Sequence, residues 1–506
     1  MTHPVGIVGM AQTEEEDPKT DLARQRIQKP DHTNLTTRTG VHMTGNRSWR
    51  ARSIAGFAMV AIVASGCSSP TASPSAAPAS VTPSASPAAQ TACAAVGDID
   101  LTVGFSEAGE AIASNFQKLV DEFTAQNPNV AIDLQAKDWA SSAQTIKLAM
   151  SGDNPPDIMM GNEGWAINGA LWQAGLILDL DPYAEQYGWF DEFPESALLV
   201  NRFSDDGQTM GVGNLVAVPP AMQYVGTFYN KAKLAELGVT DVSTIDDKTA
   251  FLALLDKAKA TGEVPVILGT SDKWPGLHNI SLFNGWYVEP QAIRDWVFNV
   301  EGTTYNDAGH VRGAKDYRDW MANGYFNADA LSTSFNDAVA RFVGGEGVFY
   351  IGGTWALGDI GAGLGDDAGF MLFPAGESGK HAAVGGYSLP WTISSKSANP
   401  DCAAQFIDFV TASPEAIAAQ IASGRPSATL AGAEATIDNP LLQQMVAEFD
   451  RLNADAGLFT WEDWPTPSMF TLMGSEAQSL LGGQITAEEY AARIQANWDE
   501  FMATRS

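Results

Sequence analysis

From residue 98 onward, the spacing of apolar residues switches repeatedly between two periods. The first switches are carried by Leu101, Val103 and Phe105, then by Ile112, Phe116, Leu119, Val120 and Phe123, and then by Val130, Ile132 and Leu134. Alternation of apolar and polar residues predicts a strand, whereas apolar residues three or four positions apart predict a helix. The succession of strand, helix and strand predicts an α/β fold with a parallel sheet flanked by helices.

A second α/β region follows the proline pair at 219–220. A helical stripe over 251–258 precedes an apolar strand at 266–268, and a helical face over 335–342 precedes the apolar stretch 348–351. The last hundred residues are mostly helical in pattern. Because residues 98–506 exceed the length that one hydrophobic core usually organises, we expect two lobes.

Residues 54–67 form an uncharged apolar run that ends in Ala-Ser-Gly-Cys at Cys67, and three arginines precede it between residues 47 and 52. This layout predicts a bacterial lipoprotein signal that is cleaved and acylated at Cys67. The run is shorter than the roughly 20 residues of a permanent membrane span. A secreted form without lipid is the alternative, because Ala64 stands where leucine is more usual.

The leader and signal therefore occupy residues 1–66. An acidic cluster at 14–17 does not fit a basic leader, so we expect translation to start at Met43. Residues 68–92 are almost only Ser, Pro, Ala and Thr, and this composition predicts a disordered tether over 67–97. Cys93 and Cys402 form a disulfide if their Cα atoms lie within about 7 Å, and are otherwise two unrelated thiols.

The net charge of −31 disfavours nucleic acid and anionic lipid as partners, because such a field repels polyanions. The Gly-x-Ser-x-Gly, His-Glu-x-x-His and phosphate-loop motifs are missing from the sequence. The three histidines after the tether, His278, His310 and His381, are not spaced as metal ligands. We expect no cofactor and no metal. A glycosidase, which needs two carboxylates, stays open as an alternative.

Several of the 14 tryptophans stand beside glycine, proline or acidic residues rather than on apolar helix faces. These are Trp139, Trp165, Trp355, Trp461 and Trp464. Flat indole rings stack on the C–H faces of pyranoses, while nearby carboxylates and amides hydrogen-bond to hydroxyl groups. This combination favours a sugar-binding site. The segment 274–279, with Trp286 after it, is either part of such a site or ordinary surface.

A series of short motifs runs through the chain. They are Phe-Thr-Ala-Gln-Asn-Pro at 123–128, Ser-Gly-Asp-Asn-Pro-Pro-Asp-Ile at 151–158, Ala-Gly-Leu-Ile-Leu-Asp-Leu at 174–180, Phe-Tyr-Asn-Lys at 228–231, Gly-Glu-Gly-Val-Phe-Tyr-Ile-Gly-Gly-Thr-Trp at 345–355, Gly-Gly-Tyr at 385–387, Asn-Pro-Asp-Cys-Ala-Ala-Gln-Phe-Ile at 399–407 and Gly-Arg-Pro at 424–426. In this order, the motifs resemble the carbohydrate class of extracellular solute-binding proteins, the receptors of ATP-driven importers related to maltodextrin-binding proteins. The resemblance covers residues 98–501.

The resemblance implies a two-lobed, periplasmic-binding-protein-like α/β fold of type II, with hinge strands that cross between the lobes. The ligand lies in the cleft and is enclosed by hinge closure. By analogy, residues 98–222 and 391–445 form the first lobe, and residues 223–390 and 446–506 form the second. Cys93 and Cys402 then both belong to the first lobe, which permits their disulfide.

The resemblance also places ligand-binding candidates at the mouth of the cleft. On the first lobe they are Glu107, Asp138, Trp139, Asn162, Glu163 and Trp165. At the crossover and on the second lobe they are Gln223, Tyr224, Trp286, Trp355, Gly386, Tyr387, Trp461 and Trp464, and Arg425 lies in a loop that approaches the site. One of the last two tryptophans matches a C-terminal aromatic position of the maltodextrin binders. For Glu107, Gln223 and Arg425, a solvated surface position is the alternative.

We therefore expect a monomeric receptor, held on the outer face of the cell membrane only by lipid on Cys67. It captures a mono- or oligosaccharide and delivers it to the transmembrane subunits of an ABC permease, without catalysis. The alternatives are a receptor of the same fold for a polyamine or glycerol phosphate, and an exported carbohydrate-active enzyme. A phosphate needs clustered basic residues, whereas Lys273, Lys380 and Arg425 are scattered. A polyamine suits the acidic charge.

Overall fold

A computed structural model of the chain describes residues 92–94, 97–107, 109–387 and 389–505. The predicted signal, the start at Met43, the lipid site Cys67 and most of the tether lie outside these residues. In the described part of the chain, none of the helices combines the length and apolar character that a membrane crossing requires.

The strands alternate with helices in the first part of the chain, as predicted. The strands are β1 (Ile99–Phe105), β2 (Val130–Ala136), β3 (Ile158–Met160), β4 (Arg202–Phe203), β5 (Asn214–Leu215), β6 (Met222–Asn230), β7 (Val266–Ile267), β8 (Phe349–Gly353), β9 (Ala368–Met371), β10 (Ala383–Tyr387), β11 (Trp391–Ile393) and β12 (Leu458–Phe459).

Helices cover the sheets and fill most of the C-terminal part. They are α1 (Glu110–Gln126), α2 (Trp139–Ser151), α3 (Ala170–Gln173), α4 (Asp181–Tyr187), α5 (Trp189–Glu192), α6 (Glu195–Leu199), α7 (Lys231–Glu236), α8 (Lys248–Ala260), α9 (Trp274–Gly285), α10 (Pro290–Val297), α11 (Ala308–Ala322), α12 (Phe335–Val343), α13 (Leu357–Leu364), α14 (Pro400–Ala412), α15 (Pro414–Ala422), α16 (Leu430–Ala433), α17 (Pro440–Ala454), α18 (Met469–Leu481) and α19 (Ala487–Ala503). A π-helix spans Trp165–Gly169, and 3₁₀ turns span Val242–Ile245, Thr354–Ala356 and Gly365–Asp367.

Two larger sheets organise the described residues. The first has the order β11-β3-β1-β2, with β1 parallel to β2 and β3, and β11 antiparallel to β3. The second has the order β12-β10-β6-β8-β7, with β9 also paired to β6. The expectation of parallel pairing holds for β7 and β8, but β6 is antiparallel to β8, β9 and β10.

The chain crosses between the two sheets three times. It passes from the first sheet to the second before β6, returns between β10 and β11, and leaves again between α14 and β12. Helix α17 packs on the second sheet, where Nε2 of Gln444 donates to the hydroxyl of Tyr229 at 2.9 Å.

Cys93 and Cys402 are joined by a disulfide, with their Cα atoms 4.6 Å apart. Both residues are buried, and the N–H of Cys93 donates to Oε1 of Gln405 at 2.9 Å. The alternative of two unrelated thiols is therefore wrong. Residues 92–94, which the sequence places in the tether, form a turn that is attached to α14 and belong to the folded body.

Candidate ligand-binding site

One cavity lies where loops of the first sheet meet loops and helices of the second. It contains about 540 Å³ of space, counted together with the open solvent at its mouth. Its wall consists of Glu107, Trp139, Asn162, Glu163, Gln223, Trp274, His278, Trp355, Tyr387, Leu389, Trp461, Asp463, Trp464 and Phe470. Nine of the residues nominated from the sequence are in this set, including both C-terminal tryptophans.

The first sheet supplies its part of the wall from the ends of its parallel strands. Glu107 follows β1, Trp139 opens the helix after β2, and Asn162 and Glu163 follow β3. Because the carboxyl ends of parallel strands meet at one edge of a sheet, residues distant in sequence converge there. Asp138 does not line the cavity, because its carboxylate accepts a hydrogen bond from the N–H of Ser141 and caps α2.

Strand β6 sends adjacent residues to opposite faces of the second sheet. The side chain of Gln223 lines the cavity, whereas Tyr224 lies in the core behind it. The hydroxyl of Tyr224 donates to the carbonyl of Met445 at 2.6 Å, so this residue holds α17 rather than a ligand. In β10, Tyr387 lines the cavity. Gly386 does not line it, and a Cβ added at Gly386 would lie 3.7 Å from Nε1 of Trp461.

Helix α9 contributes two wall residues that the sequence left undecided, Trp274 and His278. They stand one turn apart on the same helix face, and their rings lie 5.5 Å apart. The ring of His278 is 4.5 Å from that of Trp461 and 5.8 Å from that of Trp355. These four rings form a continuous aromatic surface. The i, i+4 spacing of Trp274 and His278 was the sequence signal that could have placed them together in the wall. The same spacing also occurs on helices that face a protein core.

Two carboxyl groups of the cavity wall, those of Glu163 and Asp463, come from neighbouring loops. Both residues are 1% exposed, and Oε1 of Glu163 and Oδ1 of Asp463 have no hydrogen-bond partner among the described residues. Burial raises the pKa of Glu163 well above its ordinary value, and the negative charges of Asp463 and Glu107 raise it further. Burial raises the pKa of Asp463 to about 7, although the hydrogen bond from Asn162, at 3.4 Å, acts to lower this pKa.

Three further buried polar atoms in the wall have no partner in the described structure. They are Nε2 of Gln223, Nδ1 of His278 and Nε1 of Trp355. Desolvation lowers the pKa of His278 to about 3, so its ring is neutral at physiological pH. A buried polar group without a partner costs about 1–3 kcal/mol. A ligand that both donates and accepts hydrogen bonds would satisfy these atoms together with the two acids.

The cationic candidate, Arg425, does not belong to the wall. Its Nη1 lies 2.6 Å from Oε1 of Glu107, its Nη2 donates to Gln420, and the side chains of the ion pair are both 3% exposed. Arg425 therefore neutralises the one wall acid that it contacts. Among the described residues, no group of three His, Cys, Asp or Glu is arranged to hold a metal ion.

Two nominated tryptophans lie away from the cavity. The ring of Trp165 contacts Phe203 and Phe501, and the guanidinium of Arg505 lies 4.2 Å from its centre. The Nε1 of Trp286 donates to the carbonyl of Pro374 at 2.7 Å, and its ring packs among core aromatics. Both rings contribute to packing, which sequence reasoning did not separate from ligand contact.

The model of a family described as bacterial extracellular solute-binding protein matches residues 108–417. A multiple sugar-binding protein of Streptococcus mutans is 22% identical over 319 residues, which are 62% of this chain and 71% of that protein. Among solved structures, a chitin oligosaccharide binding protein has a TM-score of 0.69 at 22% identity and covers 80% of this chain and 99% of its own. The maltose-bound MalE3 of T. maritima has a TM-score of 0.64 at 16% identity, over 79% and 99%. These likenesses confirm the two-lobed, periplasmic-binding-protein-like fold.

Proposed function

The chain belongs to the bacterial extracellular solute-binding protein family, and we propose that it is the carbohydrate receptor of an ABC importer. It captures a mono- or oligosaccharide between its lobes and delivers it to the membrane permease, and it performs no catalysis. The observation that carries this proposal is the cavity wall, in which five indole rings surround buried polar atoms that lack partners. The sugar-binding relative from Streptococcus mutans supports it.

A sugar matches this wall because each pyranose has an apolar face and a rim of hydroxyl groups. Indole rings such as Trp355 and Trp461 can stack on the C–H face. Hydroxyl groups both donate and accept, so they can satisfy Nε2 of Gln223, Nε1 of Trp355 and the carboxyl groups of Glu163 and Asp463. Neither an apolar ligand nor a donor-only ligand would satisfy the whole set.

The charges in the wall separate the proposal from its rivals. A phosphorylated polyol would meet Glu163 and Asp463, and the nearby cation of Arg425 is already paired with Glu107. A polyamine would need ionised carboxylates, whereas burial raises the pKa of both unpartnered acids and favours their neutral forms. A neutral sugar fits both protonation states.

The remaining parts of the proposal concern anchoring and lobe boundaries. We place the receptor on the outer face of the cell membrane, as a monomer attached by lipid on Cys67. The first lobe takes residues 98–222 and 391–439, and the second takes residues 223–390 and 440–506. We move the second boundary from residue 445 to the start of α17, because Gln444 and Met445 contact the second sheet.

A thermal-shift screen tests the proposed ligand class. The chain from residue 68 onward is tested against mono-, di- and oligosaccharides, polyamines and phosphorylated polyols. A ligand present at 100 times its Kd adds about 2.7 kcal/mol of stability and raises the Tm. We expect a shift with one sugar series. A shift only with polyamines, or release of reducing sugar from a glycan, would overturn the proposal.

Two matched substitutions test whether the sugar that raises the Tm binds in the cavity. Trp355→Phe removes an indole from the wall, and Trp286→Phe makes the same chemical change in the second-sheet core. We expect calorimetry to show at least tenfold weaker sugar binding for Trp355→Phe and unchanged binding for Trp286→Phe. Equal affinities in the two variants would place the site elsewhere.

A further inference from the structure

A second open space adjoins the cavity that is lined by the five tryptophans, called the indole cavity below. It is a groove of about 1,260 Å³, counted together with the solvent at its mouth. One side is formed by the first turns of α1 and the loop before α2, and the other by one face of α12. Glu107 belongs to the walls of both the cavity and the groove.

Glu107 lies between the two spaces, and its side chain is restrained. Its side chain is buried and held by Arg425, so it cannot swing into the groove without breaking the ion pair. On the opposite side, the ring of Phe335 in the groove wall lies 4.9 Å from the ring of Trp274 in the cavity wall. The two walls are therefore continuous on the first-sheet side and on the second-sheet side.

The groove differs from the cavity in exposure. Glu110, Asp138 and Asn336 are exposed along it, whereas Phe335 and Val339 are buried and form an apolar strip. A surface of apolar floor and polar rim suits further sugar rings, which keep part of their hydroxyl groups in water. Asp138, which does not line the cavity, is one of these rim residues.

We infer that the ligand is an oligosaccharide that has one end in the indole cavity and whose chain passes Glu107 into the groove between α1 and α12. The inference rests on the proposed function, because it assigns a chain length to a sugar ligand. The cavity binds the terminal rings tightly, and each ring in the groove adds a smaller increment. The groove thus makes the receptor selective for longer chains.

A chain-length series provides the first test. Malto-, xylo- and chito-oligosaccharides of one to five rings are titrated into the chain from residue 68 onward, and Kd is measured by calorimetry. In the series that binds, we expect the tetrasaccharide to bind at least tenfold more tightly than the disaccharide. Equal Kd values, or binding of a monosaccharide alone, would overturn the inference and leave the sugar receptor intact. Absence of binding by every sugar would instead contradict the proposed function.

Two neighbouring positions on α1 provide a matched pair of variants. Ala113 and Ser114 are both exposed, but only Ala113 is in the groove wall. We expect Ala113→Trp to fill the groove and reduce tetrasaccharide affinity to the disaccharide value, while the disaccharide Kd stays unchanged. Ser114→Trp should keep the wild-type series. If Ala113→Trp folds with wild-type Tm and retains the chain-length advantage, the groove is not the path of the chain.

Discussion

Two short loops of this protein have similar composition but use their residues in opposite ways. The loop 162–165 contains an acid and a tryptophan, and the loop 461–464 contains two acids and two tryptophans. In the first loop the acid faces the cavity and the tryptophan is in the core. In the second, both tryptophans and Asp463 line the cavity, and Glu462 is the residue turned inward. Residue type alone therefore does not decide which side chains line the cavity.

The inward-facing glutamate is held by a buried polar network. Glu462 is 0% exposed and accepts hydrogen bonds from the hydroxyl of Ser281 and from Nδ2 of Asn284, the latter at 3.1 Å. Nε2 of His310 lies 3.8 Å from its Oε1. Ser281 and Asn284 are on α9, the helix that also supplies aromatic rings to the cavity wall. The network thus joins the 461–464 loop to α9.

The cavity-facing glutamate has no comparable support. Oε1 of Glu163 lacks a hydrogen-bond partner among the described residues, although the side chain is equally buried. Buried polar groups are usually paired because the loss of water is otherwise not offset. The comparison indicates that Glu462 stabilises the fold, and it supports the proposal that Glu163 contacts the ligand.

The largest expected effect separates the tryptophans of the two loops. Trp165→Ala removes a fully buried ring that packs against Phe203 and Phe501, and we expect it to lower the free energy of unfolding by about 3–5 kcal/mol. Trp461→Ala removes a ring from the cavity wall, so its main effect should be a loss of sugar affinity. Urea unfolding and calorimetry on both variants measure the two effects. Equal destabilisation would remove the proposed distinction.

The next largest expected effect is a difference in stability between variants of the two buried glutamates, Glu462 and Glu163. Glu462→Ala leaves Ser281 and Asn284 without their shared acceptor, and we expect a loss of about 3 kcal/mol in unfolding free energy. Glu163→Ala removes a buried carboxyl group that has an unpartnered oxygen, so it should not lower the unfolding free energy by more than about 1 kcal/mol. Sugar binding should weaken in both, through loop displacement in the first and lost contact in the second. Comparable destabilisation by Glu163→Ala would contradict this assignment.

A smaller effect is expected where the two loops touch. Gly164 has a φ of 72°, and a Cβ at this position would lie 2.3 Å from Cβ of Trp464. The next N–H, of Trp165, donates to the carbonyl of Trp464 at 2.8 Å. Gly164→Ala combines backbone strain with this overlap, and we expect a loss of about 1–3 kcal/mol and displacement of the 461–464 loop. Gly175→Ala, also at positive φ but with open space around it, is the control for strain alone.

The sequence was sufficient for many of the elements and for several residues that follow strands. The alternating periods over 101–134 predicted β1, α1 and β2, and topology then brings Glu107, Asn162 and Glu163 to one edge. These positions depend on backbone direction, which hydrophobic periodicity encodes.

Loop side chains were harder to assign because their directions depend on distant partners. Arg425 is occupied by Glu107, more than three hundred residues earlier, and Trp165 is covered by the C-terminal helix. Asp463 was missed, and His278 stood in a segment whose role was left open. An isolated acid or histidine in sequence does not show whether its neighbours leave an oxygen or nitrogen unpartnered. Such assignments require the packed structure.

The last and smallest effect is a pH dependence at Asp463. Burial raises its pKa from 3.8 to about 7, so between these values the unfolded chain releases a proton that the folded chain retains. The folded state therefore binds more protons, and the free energy of unfolding falls as pH rises through this window and levels above about pH 7. Asp463→Asn removes this contribution, so its unfolding free energy should exceed that of wild type by an amount that grows from pH 4 to 7. Glu163 contributes in the same direction and remains in the variant. If the curves of unfolding free energy against pH are parallel for the two proteins from pH 4 to 8, Asp463 is ionised in the folded cavity. That result would favour a cationic ligand over a neutral sugar.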